Sequence, residues 1–318
     1  MLLFRLQGNI APAAAARGLL CIFYRAKPGR ARHGYCRDQE PHIEAISRSP
    51  LRLCPSVVNI GSACGPTVPH RTLECRMLSP LATGICAGLG AAGLAAGGCA
   101  YAALWPGSLL FGKALIAPKR PGELALTFDD GPNPAWTPQL LEILASHDVR
   151  ATFFLLGRYA EAESELVRRI VAAGHFIGNH SWSHPNLALA SSSRIREELS
   201  RTSQTLEQIT GAPVRIFRPP FGARRPAVFR IAKELGLTPV LWNAMTSDWS
   251  EPSAEKIVER LTSKIDRLER RGWAANIVLH DGGHLKLEVD RGPSVAAAKQ
   301  IVARYKATHR FVTLDEWV

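Results

Sequence analysis

Cysteine is missing from the whole chain beyond residue 99. All seven cysteines of the 318 residues fall at or before Cys99. The long C-terminal part therefore has no disulfide and no thiolate metal site. A thiol-free domain suits export to a compartment where free thiols would be oxidised. The spacings of Cys21, Cys36, Cys54, Cys64 and Cys75 match no zinc template. Charge is missing from residues 77–112, which run unbroken between Arg76 and Lys113. Also lacking is any Lys/Arg stripe interleaved with aromatics, so nucleic acid is not an expected partner. No internal repeat is evident.

What charge there is sits unevenly. The formal net charge is +12, and residues 1–76 hold eleven Lys/Arg against four Asp/Glu. Residues 113–318 hold 28 basic and 23 acidic side chains, a mild positive bias that suits an anionic polymer or a membrane surface nearby. Residues 1–76, rich in Pro, Gly, Ala and Arg, show no periodicity and are expected to be disordered. Met77 then opens an apolar run long enough to cross a bilayer, which takes roughly 20 residues. The expectation for residues 77–112 is a transmembrane anchor or a cleaved signal peptide. "AYA" at Ala100–Ala102 is a candidate cleavage site, and "AGGC" ending at Cys99 is a weak lipoprotein-like match. A buried core helix is the remaining reading. Basic residues before the run place that side in the cytoplasm. The following domain is then membrane-anchored outside the cytoplasm, or secreted. Met77 is itself a candidate translation start, since an anchor or signal normally begins a chain.

From Glu123 onward short apolar runs alternate with helical patterns. Strands are expected at Leu124–Phe128, Thr152–Leu156, His175–Gly178, Arg215–Phe217, Thr238–Trp242, Asn276–Leu279 and Phe311–Thr313. Helix faces are marked by Leu140, Leu141 and Leu144, by Val228, Ile231, Ala232 and Leu235, and by Ala298, Ile301, Val302 and Tyr305. This alternation predicts an α/β fold with a parallel sheet. Seven units favour a distorted (β/α)7 barrel, TIM-barrel-like, over an open doubly wound sheet.

In parallel barrels chemistry gathers where strands end. After the first strand stand Asp129 and Asp130, two like charges that repel unless a cation is near. "NHSWSHPNL" supplies His180 and His184, "RPPFG" supplies Arg218 to Gly222, "TSDW" supplies Asp248 and Trp249, and "LHDGG" supplies His280. Histidines four apart share one face of a helical turn. Two imidazoles and a carboxylate with one open position make the ligand set of catalytic zinc. A divalent metal would neutralise Asp130 and leave Asp129 free to act as a base. His284, four residues beyond His280, reads as a solvated loop residue.

"TFDDGPN", "HSWSH", "RPPFG", "SDW" and "LHDGG" occur in the order of the signature motifs of the polysaccharide deacetylases, the NodB-homology domain. The resemblance covers about residues 119–318, and five ordered motifs make it specific. It implies a metal-dependent hydrolase, in a distorted barrel of fewer than eight units, that removes N-acetyl or O-acetyl groups from chitin-like polymers, peptidoglycan or xylan. By position it implies that Asp130, His180 and His184 hold Zn2+, or another divalent metal such as Co2+. Asp129 is then the general base toward the attacking water, and Arg218 fixes it. The Phe221 N–H helps hold the oxyanion, with Pro220 beside it. Trp249 and Leu279 line the acetyl pocket, and His280 protonates the departing amine.

One position departs from the pattern. Many relatives have a carboxylate three residues before the Asp of "DW", where this chain has Met245. Either Asp248 supports His280 instead, or the His280 acid works at a lower pKa. The leading reading is N-deacetylation of an N-acetylglucosamine polymer, peptidoglycan or chitin-like, by a monomeric catalytic domain over residues 113–318. The alternatives are a deacylase or deformylase of another amide such as a lipid-linked sugar, an O-acetyl esterase on xylan, and a non-catalytic glycan-binding module.

Overall fold

A strand that is apolar at consecutive positions must be covered on both faces, and Leu124–Phe128 is such a run. In the computed structural model, which describes residues 80–318, it forms the middle of β1 (Glu123–Gly131), buried from Leu124 to its end. The expectations for residues 1–76 and for a start at Met77 lie outside the described residues. Strand β1 is the hub of the sheet. It pairs in parallel with β2 (Thr152–Leu155), β7 (Ala275–His280) and β8 (Arg310–Val312). Beyond β2 lie β3 (Phe176–Asn179), β4 (Ile216–Phe217) and β5 (Thr238–Pro239). Beyond β7 lies β6 (Ala244–Met245). All of these pairings are parallel. The two margins, β5 and β6, lie close together in the chain, and Val240 between them bridges Leu115. The result is a curled, parallel α/β sheet of the distorted-barrel kind.

Strand parity divides the interior into two layers. Leu124, Leu126 and Phe128 face outward into a large core with the helix stripes. These include Leu140, Leu141 and Leu144 of α2 (Thr137–Ser146) and Val228, Ile231 and Ala232 of α6 (Pro226–Glu234). They also include Ala298, Ile301, Val302 and Tyr305 of α8 (Gly292–Tyr305). Leu235 lies just past the end of α6 and packs only partly buried. Each fully buried aliphatic or Phe side chain contributes about 1.5–3 kcal/mol. Ala125 faces the other way, into a small inner cluster with Phe154, Ile216, Val240, Val312 and Leu314. Further along the strands this inner row turns polar, and there the site begins.

The strand expectations hold in position and shift at their ends. Both carboxylates of the Asp129–Asp130 pair lie inside β1 rather than after it. The run expected as one strand at Thr238–Trp242 is ordered as a strand only at its first two residues. Strand β6, unforeseen, follows because Ala244 and Met245 find register with Ile277 and Val278 of β7.

The membrane expectation is overturned. Residues Pro80–Leu104 form α1, yet among the described residues no helix is long and apolar enough to cross a membrane. Fifteen of its 25 residues are Gly or Ala, which add little apolar area per turn. The transmembrane anchor at residues 77–112 is therefore withdrawn, and with it a membrane partner and a membrane-anchored catalytic domain. The end of α1 instead meets the domain. Ala102 is fully buried, and the buried Arg224 donates its backbone N–H and a guanidinium N–H to the Ala103 carbonyl, at 3.1 and 3.3 Å. A cation suits the unpaired carbonyls at a helix C-terminus. Replacing it by Arg224→Met strands those acceptors, a cost of about 1–3 kcal/mol. Protease cleavage within Tyr101–Phe111 is expected to accelerate while circular dichroism of the domain is retained. Unchanged cleavage would refute the role of Arg224.

Candidate metal centre and active site

The polar inner row is organised by one guanidinium. Arg218, just beyond β4, is fully buried. It donates through Nη1 to Thr127 Oγ1 and Asp129 Oδ1, both at 2.7 Å, and through Nη2 to Asn276 Oδ1 at 3.2 Å. Its flat face lies 4.0 Å from the Phe154 ring centroid. Burial pulls the guanidinium below its ordinary value, and the Asp129 charge and hydrogen bond counter this. Thr127 and Asn276 are tied in turn to the carbonyls of Ile277 and Leu241, each at 2.7 Å.

Asp130 adopts a left-handed backbone (φ 70°), which turns its carboxylate toward the histidines after β3. Its Oδ1 lies 3.4 Å from His180 Nε2 and 3.2 Å from His184 Nε2. Ligands about 2.0–2.1 Å from a tetrahedral zinc stand about 3.3 Å apart, so the spacing fits. The donors agree with it. Asp130 Oδ1 is buried with no hydrogen-bond partner among the described residues. His180 Nδ1 donates to the Arg218 carbonyl at 2.8 Å, leaving Nε2 bare for a metal. Burial, with neighbouring histidines, pulls His184 down to about 3 against the attraction of Asp130, so it is the neutral imidazole that ligation needs. Burial pushes the Asp130 carboxyl up, but the imidazoles of His180, His284 and His184 around it outweigh this and hold the group well below the usual carboxylate range. Asp130, His180 and His184 thus form a metal-binding triad that suits Zn2+ or a similar divalent ion.

The two histidines do not share a helical turn. They lie in a loop in which Ser181 (φ 68°) and His184 (φ 63°) are both left-handed. The loop is held by a residue that the sequence reading missed. Glu198, buried in α5 (Ser192–Thr210), accepts the N–H groups of Trp182 and Ser183 at 2.7 and 2.8 Å and the Ser183 hydroxyl at 2.7 Å. Asn179 Oδ1 accepts from Ser181 N–H, and Ser181 Oγ from His184 N–H. Glu198 left one trace in the sequence, an acidic residue on a helix face otherwise filled by Ile195, Leu199 and Thr202.

Across a cavity of about 310 Å³ stands His280. Asp248 grips it twice, with Oδ1 3.0 Å from Nδ1 and Oδ2 accepting its backbone N–H at 2.8 Å. Ser294 Oγ donates to the same Oδ2 at 2.7 Å. Burial lowers the imidazole pKa, but the charge and hydrogen bond of Asp248, joined by Asp130 and Asp129, raise it to about 9. A lower pKa for want of a carboxylate at Met245 is therefore not what the fold produces. Asp248 carries the support, and Met245 lines the cavity.

Other expected positions shift. Leu279 packs into the outer core, because strand parity turns Val278 and His280 inward, and Val278 lines the cavity in its place. Pro219 is the lining proline, while Pro220 is buried outside the cavity wall. Phe221, in a tight turn at φ 58°, and Trp249 both line the cavity and remain about half exposed. His284 is no loose loop residue. It stacks on His184 with ring centroids 4.3 Å apart. Arg291, buried on the same cavity, donates to the carbonyls of Gly282 and Trp249. Gly282 is itself obligatory, since a Cβ there would sit 2.0 Å from the Asp130 carbonyl oxygen.

Comparison with known proteins agrees with this geometry. The polysaccharide deacetylase family model matches residues 117–240. A peptidoglycan-N-acetylglucosamine deacetylase of Bacillus cereus is 36% identical over 205 residues, covering 63% of this chain and 70% of that protein. A chitooligosaccharide deacetylase of Azorhizobium caulinodans is 34% identical over 174 residues, covering 54% of this chain and 80% of that protein. Among solved structures, a CE4 family pseudoenzyme from Bacillus anthracis superposes with a TM-score of 0.57 at 28% identity, covering 64% of this chain and 68% of that one. On the relative of Bacillus cereus, with the ordered metal triad, this chain belongs to the polysaccharide deacetylase family.

Proposed function

We propose that the protein hydrolyses the N-acetyl groups of an N-acetylglucosamine-containing polysaccharide, peptidoglycan first and chitin-like oligomers second. The carrying observation is that one cavity joins the Asp130–His180–His184 triad, the Arg218-held Asp129 and the Asp248-held His280. The polymer is inferred from the relatives of Bacillus cereus and Azorhizobium caulinodans. The curled sheet is read as a distorted seven-unit barrel, with the site at the C-terminal ends of its strands.

Asp130, His180 and His184 would hold a divalent ion, which would supply Lewis acidity toward the acetyl carbonyl and lower the pKa of water. The remaining work belongs to side chains. Asp129, held in place by the Arg218 guanidinium, takes the proton from the attacking water. His280, kept protonated by Asp248, gives a proton to the departing amine nitrogen. A positioned acid and base each contribute typically about 10²–10⁴ in rate. Trp249, Val278 and Met245 offer an apolar wall for the acetyl methyl, and the Phe221 N–H is the candidate oxyanion donor. Likeness to a pseudoenzyme raises a binding-only role. Against it stand the complete ligand triad, the base and the acid.

The full chain, stripped with chelator and reloaded with zinc, is expected to release acetate from peptidoglycan or N-acetylglucosamine oligomers in preference to acetylated xylan. Asp129→Asn is expected to lower that rate at least about 10²-fold. No acetate from folded, zinc-loaded protein would sink the assignment. The pH profile tests the acid separately. A raised pKa keeps His280 protonated through neutrality, so the acid form is lost only as pH rises through about 9. In Asp248→Asn the main raising influence is removed, and only Asp130 and Asp129 remain to oppose burial. The alkaline limb is then expected to move down from about 9. A limb that stays in place would remove His280 as the acid.

A further inference from the structure

The two ligand histidines are held by different means. His180 is fixed by a hydrogen bond from Nδ1 to the Arg218 carbonyl. His184 Nδ1 is buried with no hydrogen-bond partner among the described residues. Metal-ligating imidazoles almost always donate their second N–H to such a partner, which sets the ring orientation. His184 has contact with two rings instead. Phe221 meets it edge-on at a centroid distance of 4.5 Å, and His284 lies nearly parallel to it at 4.3 Å and 16°. Phe221 and His284 also touch each other edge-on at 5.6 Å, so the three rings form one packed unit.

The loop that carries His284 is fastened from outside the site. Arg158 Nη2 donates to the His284 carbonyl. Tyr159 Oη donates to the Gly283 carbonyl at 3.2 Å and accepts from Arg158 Nη2 at 2.9 Å. Both residues open α3 (Gly157–Ala162), so the position of His284 is set by a helix and not by the loop alone. His284 Nδ1 lies 3.7 Å from Asp130 Oδ2, too long for a hydrogen bond. Nor does His284 belong to the close cluster formed by Asp130, His180 and His184.

We propose that His284 is a positioning residue for the metal centre, whose ring orients the ligand His184 by stacking, in place of the hydrogen bond that His184 lacks. The inference rests on the metal-dependent reading of the site. It assigns to a half-buried residue of the loop after β7 a role in holding a ligand from the loop after β3. Stacked aromatic pairs contribute beyond their buried area, and a ring confined between Phe221 and His284 has little freedom to turn.

The test is metal affinity, read by competition with a chromogenic chelator on the full chain. His284→Ala is expected to weaken zinc binding about 10–100-fold, the usual effect of removing a group that orients a ligand. His284→Phe, which keeps a flat ring and removes both nitrogens, is expected to retain most of the wild-type affinity. His284→Gln, polar but not aromatic, is expected to behave like His284→Ala. The visible spectrum of the cobalt-loaded protein is expected to be the same for wild type and His284→Phe. Equal affinity in wild type and His284→Ala would overturn the proposal. So would rescue by Gln and not by Phe, which would place the effect in the Asp130 contact, and so would a cobalt spectrum altered in His284→Phe, which would make His284 a ligand. Wild-type protein that binds no zinc would overturn both this role and the metal-dependent function. Loss of acetate release with intact zinc binding would count against the function alone.

Discussion

The structure of the site depends on a buried cation. An unpaired guanidinium in a protein interior is very costly, so the chain around Arg218 is built to receive it. Three oxygens, from Thr127, Asp129 and Asn276, lie within hydrogen-bond distance, and the Phe154 ring covers one face. The partners come from three strands, Thr127 and Asp129 from β1, Phe154 from β2 and Asn276 from β7. A shift of one residue in any of these strands would turn its partner to the outer face. The same side chain that pairs with Asp129 therefore also specifies the register of the sheet. It also explains how two adjacent carboxylates can be accommodated side by side. Asp129 has its own fixed cation, and Asp130 turns away through a left-handed backbone to its own histidines and metal site. The two carboxylates thus have separate partners although they share a peptide bond.

From that layer upward, the loops that carry the site are held by buried polar side chains. Glu198 reaches from α5 to hold the loop of the metal-binding histidines. Ser294 reaches from α8 to the Asp248 carboxylate, and Arg291 ties the loop of Trp249 to that of Gly282. Loops alone would leave these groups free to wander, since each residue fixed costs about 1–2 kcal/mol of backbone entropy. The helices around the sheet absorb that cost through their own packing, and the reactive atoms inherit the rigidity.

How much of this was legible in the sequence follows from which physical signal each residue carries. Strand ends bearing Asp130, His180, Arg218, Asp248 and His280 stood out, because charged groups at the end of a buried run have few ordinary uses. The parity of β7 did not. Leu279 and Val278 are equally apolar, and only the register with β1 decides which one faces the cavity. Glu198 was hidden among the charges of a mostly solvent-facing helix. The shape of the His180–His184 loop was hidden as well, because spacing of four is shared by a helical turn and by a loop with two left-handed residues. The charge-free run at residues 77–112 misled for a related reason. Absence of charge permits membrane insertion but does not supply apolar area, and Gly and Ala supply little.

The Met245 position shows how a missing group can be replaced without a neighbouring substitution. A histidine that acts as an acid needs an anion near Nδ1, and the anion must not drift. Asp248 meets the first need through Oδ1. It meets the second because Oδ2 is held by the His280 backbone N–H and by Ser294. Binding both the ring and the backbone of one residue leaves that carboxylate no rotamer in which it serves one and not the other. With the charge fixed in this way, no carboxylate is needed at position 245. Methionine, apolar and adaptable, lines that part of the cavity wall. It leaves the surface apolar where an acetyl methyl would rest.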